Sequence, residues 1–144
     1  MEFRLLGPVE AWHDGAAVAL GRRRERCLLG ILLLEPGVVI PTERLVDLLW
    51  DSDPPSLARA SLRAHVSRLR HLVDPGDDGA LGIRIQGRGG GYAADVDPDR
   101  VDAYRFRALL AEARADPAVR FSAEMKHSSS RSTGTQRSLS SANR

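Results

Sequence analysis

A chain of 144 residues, 42% hydrophobic and 28% charged, has room for one compact domain plus a tail and can bury a core without disulfide staples. Its single cysteine, Cys27, excludes an intramolecular disulfide and a cysteine-built zinc site. A net charge of +2 does not announce a polyanion partner, so the distribution of charge carries the information. Carboxylates gather at 47–53, 74–78 and 95–102, whereas residues 54–73 carry Arg59, Arg63, Arg68 and Arg70 and no acid. The apolar run 27–34 is too short to cross a bilayer and no small-residue cleavage site follows it, which predicts a cytoplasmic protein without membrane association.

Alternation at Val9-Glu10-Ala11-Trp12 and at Ala17-Val18-Ala19-Leu20, separated by Asp14-Gly15, predicts a small antiparallel sheet at the start. A helix follows from Arg22, with Cys27, Leu28, Ile31, Leu32 and Leu34 as its apolar face and Pro36-Gly37 as its stop. Cys27 is expected to be a small buried core residue. Val38-Val39-Ile40 reads as a short strand. The second helix, from Pro41 or Thr42, carries Leu45, Val46, Leu48, Leu49 and Trp50 over most of its surface, which predicts a central position.

Residues 51–55 form a turn, because two prolines cannot continue a helix, and Ser56 is a suitable cap for the third helix, 56–73. Beyond a polar loop, Ile83-Arg84-Ile85-Gln86 and 92–96 flank the turn 87–91 and predict a β-hairpin. Sheet, three helices and hairpin, in that order, describe an α+β winged helix-turn-helix. Val101, Tyr104, Phe106, Leu109 and Leu110 mark one further helix, interrupted by Pro117. From 122 onward eight serines, scattered arginines and no apolar period predict disorder.

On a wheel at 100° per residue, Ala58, Leu62, Val66, Leu69 and Val73 form one stripe of the third helix, which must face the core. On the opposite side Ala60, Ala64, Ser67 and His71 make a strip of mostly small residues, with Arg59, Arg63 and Arg70 on one flank and Arg68 on the other. Small residues let a helix backbone approach base edges, and guanidiniums reach phosphates or grip guanine O6 and N7. The bland alternative is a solvated arginine-rich face. A glycine-rich hairpin tip carrying Arg88 weighs against it, since such a tip suits a narrow minor groove better than it suits stability.

His65, at the edge of the apolar stripe, fits either a partly buried structural histidine or a phosphate contact. Arg22, Arg23 and Arg24 read as a solvated helix start, although positive charge there opposes the helix dipole and invites an anion. Thr42 and Ser56 are helix-end residues rather than nucleophiles. With no phosphate loop, no paired-histidine metal motif and no histidine beside a nucleophile, neither catalysis nor a metal or other cofactor is expected.

Taken together, Leu5-Leu6-Gly7-Pro8-Val9-Glu10, the arginine-led first helix, 44–50 (Arg-Leu-Val-Asp-Leu-Leu-Trp), Val66-Ser67-Arg68-Leu69-Arg70 and Gly91-Tyr92 resemble the N-terminal domain of Streptomyces antibiotic regulatory proteins, of the OmpR/PhoB winged-helix type. The resemblance spans about residues 2–97. It implies an activator, often of secondary-metabolite genes, that binds direct repeats of double-stranded DNA as a side-by-side dimer and recruits RNA polymerase. It further implies recognition-helix contacts at Ala64, His65, Arg68 and Arg70, a wing contact at Arg88, and a polymerase-facing loop with Asp51, Ser52 and Asp53. Ser67 stands where related helices often carry another arginine.

The expected organisation is a winged-helix DNA-binding domain at 1–97, a helical remnant resembling the start of an activation domain at 98–121, and a disordered serine-rich tail at 122–144. Because that tail does not continue an activation domain, a second functional class stays open: a truncated regulator or protein-interaction module that competes with or binds partners without activating transcription.

Overall fold

Alternating residues at the start of the chain form a three-stranded antiparallel sheet of β1 (Glu2–Arg4), β2 (Glu10–His13) and β3 (Ala16–Val18). Positive φ at both Asp14 (49°) and Gly15 (78°) makes the β2–β3 connection a two-residue hairpin turn of the kind that matches strand twist. Phe3 and Ala11, partners across the sheet, point into the core. The computed structural model describes residues 1–76, 79 and 81–115. Part of the expected polar loop (77, 78 and 80) and all of 116–144, including the expected disordered tail, lie outside the described residues.

Helix α1 (Arg23–Leu34) buries Glu25, Leu28, Leu29, Gly30, Leu32 and Leu33. The expected apolar face is therefore corrected: Cys27 is exposed, and so is Leu34. The inward series runs at i, i+3, i+4 and i+7 from Glu25 through Leu28, Leu29 and Leu32, and Cys27 and Leu34 fall about 180–200° away on the outer side. Gly30 lets the helix approach the first sheet, since a Cβ there would stand 3.1 Å from Val9.

The expected strand at 38–40 shortens to β4 (Ile40–Pro41), leaving Val38 exposed. Helix α2 (Thr42–Trp50) fully buries only Leu45, and Leu48 is 41% exposed. It is thus a surface helix with one inward edge, not the central helix that its apolar content suggested.

Helix α3 (Ala58–Val73) begins two residues later than expected. The Pro55 carbonyl accepts the Ala58 N–H at 2.9 Å, so Ser56 sits inside a turn and Leu57, not Ser56, occupies the cap position. Leu62, Val66, Leu69 and Val73 are buried along the stripe that the wheel assigns to the core.

The hairpin of β5 (Ile83–Arg88) and β6 (Gly91–Val96) forms a second sheet in the order β4-β6-β5. Its turn is the pair Gly89-Gly90, both at positive φ, rather than the five residues expected, because Arg88 and Gly91 still pair across the strands. Gly91 is fixed by space: a Cβ would lie 2.1 Å from the Ile40 carbonyl oxygen where β4 crosses. Thr42 ties the start of α2 to the same turn, donating both its N–H (3.1 Å) and its hydroxyl (2.7 Å) to the Gly90 carbonyl.

A 3₁₀ turn at Pro98–Arg100 leads into α4 (Asp102–Ala115). Val101 is buried and bridges Phe3, and the Asp102 carboxylate accepts the backbone N–H groups of Leu5 (2.7 Å) and Leu6 (3.3 Å). Two units are distinguished, Met1–Phe106 and Arg107–Arg144; within the second the described residues 107–115 are helical. Among the described residues no helix is long and apolar enough to cross a membrane.

Candidate nucleic-acid interface

Burial of the Leu62–Val66–Leu69–Val73 stripe turns the other side of α3 to solvent. Arg59, Ala60, Arg63, Ala64, Ser67, Arg68 and His71 are exposed there, while His65 and Arg70 are half-buried at its borders. The small-residue strip between guanidiniums is therefore a real surface. Arg59 Nη2 donates to Glu43 Oε1 on α2 at 2.6 Å, and both side chains are more than half exposed, so the pair is readily exchanged for another anion. Among the described residues Arg63 makes no ion pair.

Arg68 and His65 share a partner that sequence reading missed. Glu25, on the first turn of α1, is 2% exposed, and its Oε1 accepts the Arg68 Nε–H at 2.8 Å and lies 2.9 Å from His65 Nδ1. Burial pushes the Glu25 carboxyl up, but the hydrogen bonds from His65 and Arg68 outweigh it and hold the group at about 2. Since the carboxylate is ionised, Nδ1 must be the protonated nitrogen that donates. The ring also leans on Trp50, centroids 5.7 Å apart, and its side chain is only 13% exposed. His65 is thus half-buried, held between Glu25 of α1 and Trp50 of α2.

The signal for Glu25 was present in the sequence, since its spacing to Leu28, Leu29 and Leu32 puts a carboxylate on the apolar stripe. Arg22, Arg23, Arg24, Trp50, His65 and Arg68 line one cavity of about 510 Å³ beside it, with Arg24 over the Trp50 ring at 5.3 Å.

Arg70 donates its Nε–H to the Ile85 carbonyl at 2.8 Å, joining α3 to β5. Arg88 stands at the last paired position of β5, beside the turn rather than at its tip. It lies back over the hairpin, with Nε on Gln86 Oε1 (2.7 Å) and Nη2 on Asp95 Oδ2 (2.5 Å). Both ion-pair partners are partly exposed, so reaching a groove means exchanging them for phosphate or base acceptors. Asp51, Ser52 and Asp53 are exposed in the turn after α2. Near them a groove of about 500 Å³ is lined by Val46, Pro54, Pro55 and Leu57, the last 70% exposed.

A second missed residue is Asp74, counted in the sequence only among the carboxylates at 74–78. It is 2% exposed, and its carboxylate accepts the N–H groups of Gly79 (3.0 Å) and Ile85 (3.3 Å), anchoring the hairpin to the end of α3.

Residues 15–94 match the family described as "Transcriptional regulatory protein, C terminal". The chain belongs to this family. It is a DNA-binding transcriptional regulator domain of the OmpR/PhoB winged-helix type, and not an enzyme.

The resemblance to Streptomyces antibiotic regulatory proteins holds as well. The regulatory protein AfsR of Streptomyces coelicolor is 46% identical over 76 residues, covering 53% of this chain and 8% of that protein. The regulatory protein DnrI of Streptomyces peucetius is 34% identical over 122 residues, covering 79% of this chain and 43% of that protein. Among solved structures, Mycobacterium tuberculosis EmbR in complex with a low affinity phosphopeptide is similar at 32% identity and a TM-score of 0.66, covering 74% of this chain and 28% of that one. The chain thus spans less than half the length of these relatives.

Proposed function

We propose that this domain binds promoter DNA sequence-specifically by laying the outer face of α3 in the major groove and setting the wing against the adjacent minor groove. The observation that carries the reading is the burial pattern of α3: the apolar stripe is sealed, and Ala60, Arg63, Ala64, Ser67 and Arg68 stand open on the far side. In this reading Arg68 grips a guanine edge, Arg59, Arg63 and Ser67 meet backbone phosphates, Arg70 and His65 border the contact, and Arg88 enters the minor groove.

The domain occupies 1–97, with 98–121 as the start of an activation segment and 122–144 as a tail, in a cytoplasmic protein. It activates a biosynthetic gene cluster by binding direct repeats as a side-by-side dimer, with RNA polymerase met at Asp51, Ser52 and Asp53. The exposed groove at Leu57 beside that turn supports a protein contact there, and equally a chain that binds a partner without activating.

Selection of bound duplexes from a random pool, followed by salt titration, tests the reading. The expected result is an enriched motif repeated at about one helical turn and a steep fall of log affinity with log salt. Binding that is insensitive to salt, with no enriched motif, would leave the partner-binding reading in its place.

A further inference from the structure

We infer that Glu25 is a positioning residue for sequence discrimination: from inside the fold it sets Arg68 in the orientation that reads a base. The inference rests on the DNA-binding reading above and adds to it a residue that does not face DNA at all. Glu25 Oε1 takes the Nε–H of Arg68 at 2.8 Å, while the Arg68 side chain remains 57% exposed. Holding a guanidinium by Nε fixes the plane of the fork and leaves its two terminal nitrogens for a planar partner, the arrangement that a two-point grip on guanine needs.

His65 closes the arrangement. Its Nδ1 lies 2.9 Å from the same Glu25 oxygen and 2.9 Å from Arg68 Nη2. With the Nδ1 proton committed to the carboxylate, that nitrogen has no lone pair for Arg68, so the terminal N–H groups of the guanidinium stay available to another acceptor. Trp50 backs the imidazole in turn. Glu25 Oε2 is buried without a hydrogen-bond partner among the described residues, so the carboxylate's hold on side chains runs through Oε1 alone. An arginine swinging freely from α3 would lose more conformational entropy on meeting a base, so fixing it beforehand favours the correct sequence.

The test is a double-mutant cycle between Glu25→Gln and Arg68→Ala in the full chain, read on the selected duplex and on a random duplex across a salt series. Glutamine keeps the shape and an acceptor oxygen but removes the negative charge that strengthens both hydrogen bonds, and it puts an NH2 donor where Oε2 stands. The expected outcome is that Glu25→Gln lowers the specific-to-random affinity ratio about tenfold with the salt slope unchanged, and that it has no further effect in the Arg68→Ala background. Should the ratio hold in a folded Glu25→Gln protein, or should the loss persist without Arg68, the positioning role is overturned while DNA binding stands. If the parent chain itself shows no salt-sensitive duplex binding, the DNA-binding reading falls first and this inference with it.

A measurement that needs no variant guards against unfolding. The Arg68 Nε–H resonance should be protected in the free protein and stay protected in the DNA complex. Its loss on binding would mean that the contact is released rather than used, and would overturn the inference.

Discussion

Two carboxylates in this domain are buried to the same depth, each 2% exposed, and they hold different things. Asp74 grips backbone: one oxygen takes the Gly79 N–H and the other the Ile85 N–H, so the wing is attached to the end of α3 through main chain. Glu25 grips side chains: one oxygen serves both Arg68 and His65, and the other has no partner among the described residues. A backbone anchor fixes where an element lies. A side-chain anchor fixes how a particular residue points, and it does so on the face proposed to meet DNA. The difference separates the residues that build the winged helix from those that tune its reading.

The largest expected effect comes from breaking the backbone anchor. Asp74→Ala leaves two N–H groups without their acceptor near the α3–β5 junction, and should cost about 2–4 kcal/mol in urea unfolding. A loss below about 1 kcal/mol would mean that the wing is held by other contacts and that the two carboxylates do not differ in the way described.

Acid distinguishes the side-chain anchor next. Glu25 is depressed to about 2, so its contribution to stability is complete above the ordinary carboxylate range and is lost as the pH falls toward that value. The shift corresponds to a contribution on the order of 3 kcal/mol at neutral pH. Unfolding free energy measured from about pH 5 down to about pH 2 should decline more steeply in the parent than in Glu25→Gln, because the variant has no carboxyl to protonate at that position. Parallel profiles would contradict the ionised state assigned to Glu25.

The smallest effect on stability belongs to an ion pair of the third kind, exposed on both sides. Arg59→Ala, which removes the contact to Glu43, should change stability by less than about 0.5 kcal/mol. The same substitution should weaken binding to all duplexes alike and reduce the salt slope by about one. An unchanged slope would take Arg59 out of the phosphate contacts.

The contrast also explains what could be read from the sequence. Elements ruled by period were legible: the stripe from Leu62 to Val73 lies in the core as expected, and the alternation at Ile83 and Ile85 marks a strand of the expected hairpin. Where apolar residues stood off the main stripe, composition misled. Cys27 and Leu34 belong to the hydrophobic run but fall on the outer side of α1, and Leu48 does the same on α2.

What the carboxylates hold was hidden for another reason, since their partners are remote in the chain: Glu25 meets residues 40 and 43 positions away, and Asp74 meets Ile85 across a loop. An acid in an arginine-rich stretch reads as a solvated charge until the fold brings α3 over it. Likewise Arg88 was placed beyond the strand, whereas a two-glycine turn keeps it in register opposite Gly91 and within reach of Asp95.

The account's central claim is that α3 reads bases through a fixed Arg68, and the most direct measurement of it is the affinity of Arg68→Ala for the selected duplex and for random DNA at one salt concentration. The prediction is a loss of about 1–3 kcal/mol on the selected duplex and a much smaller loss on random DNA. Equal losses on both would contradict it, and would leave Arg68 as one more phosphate contact.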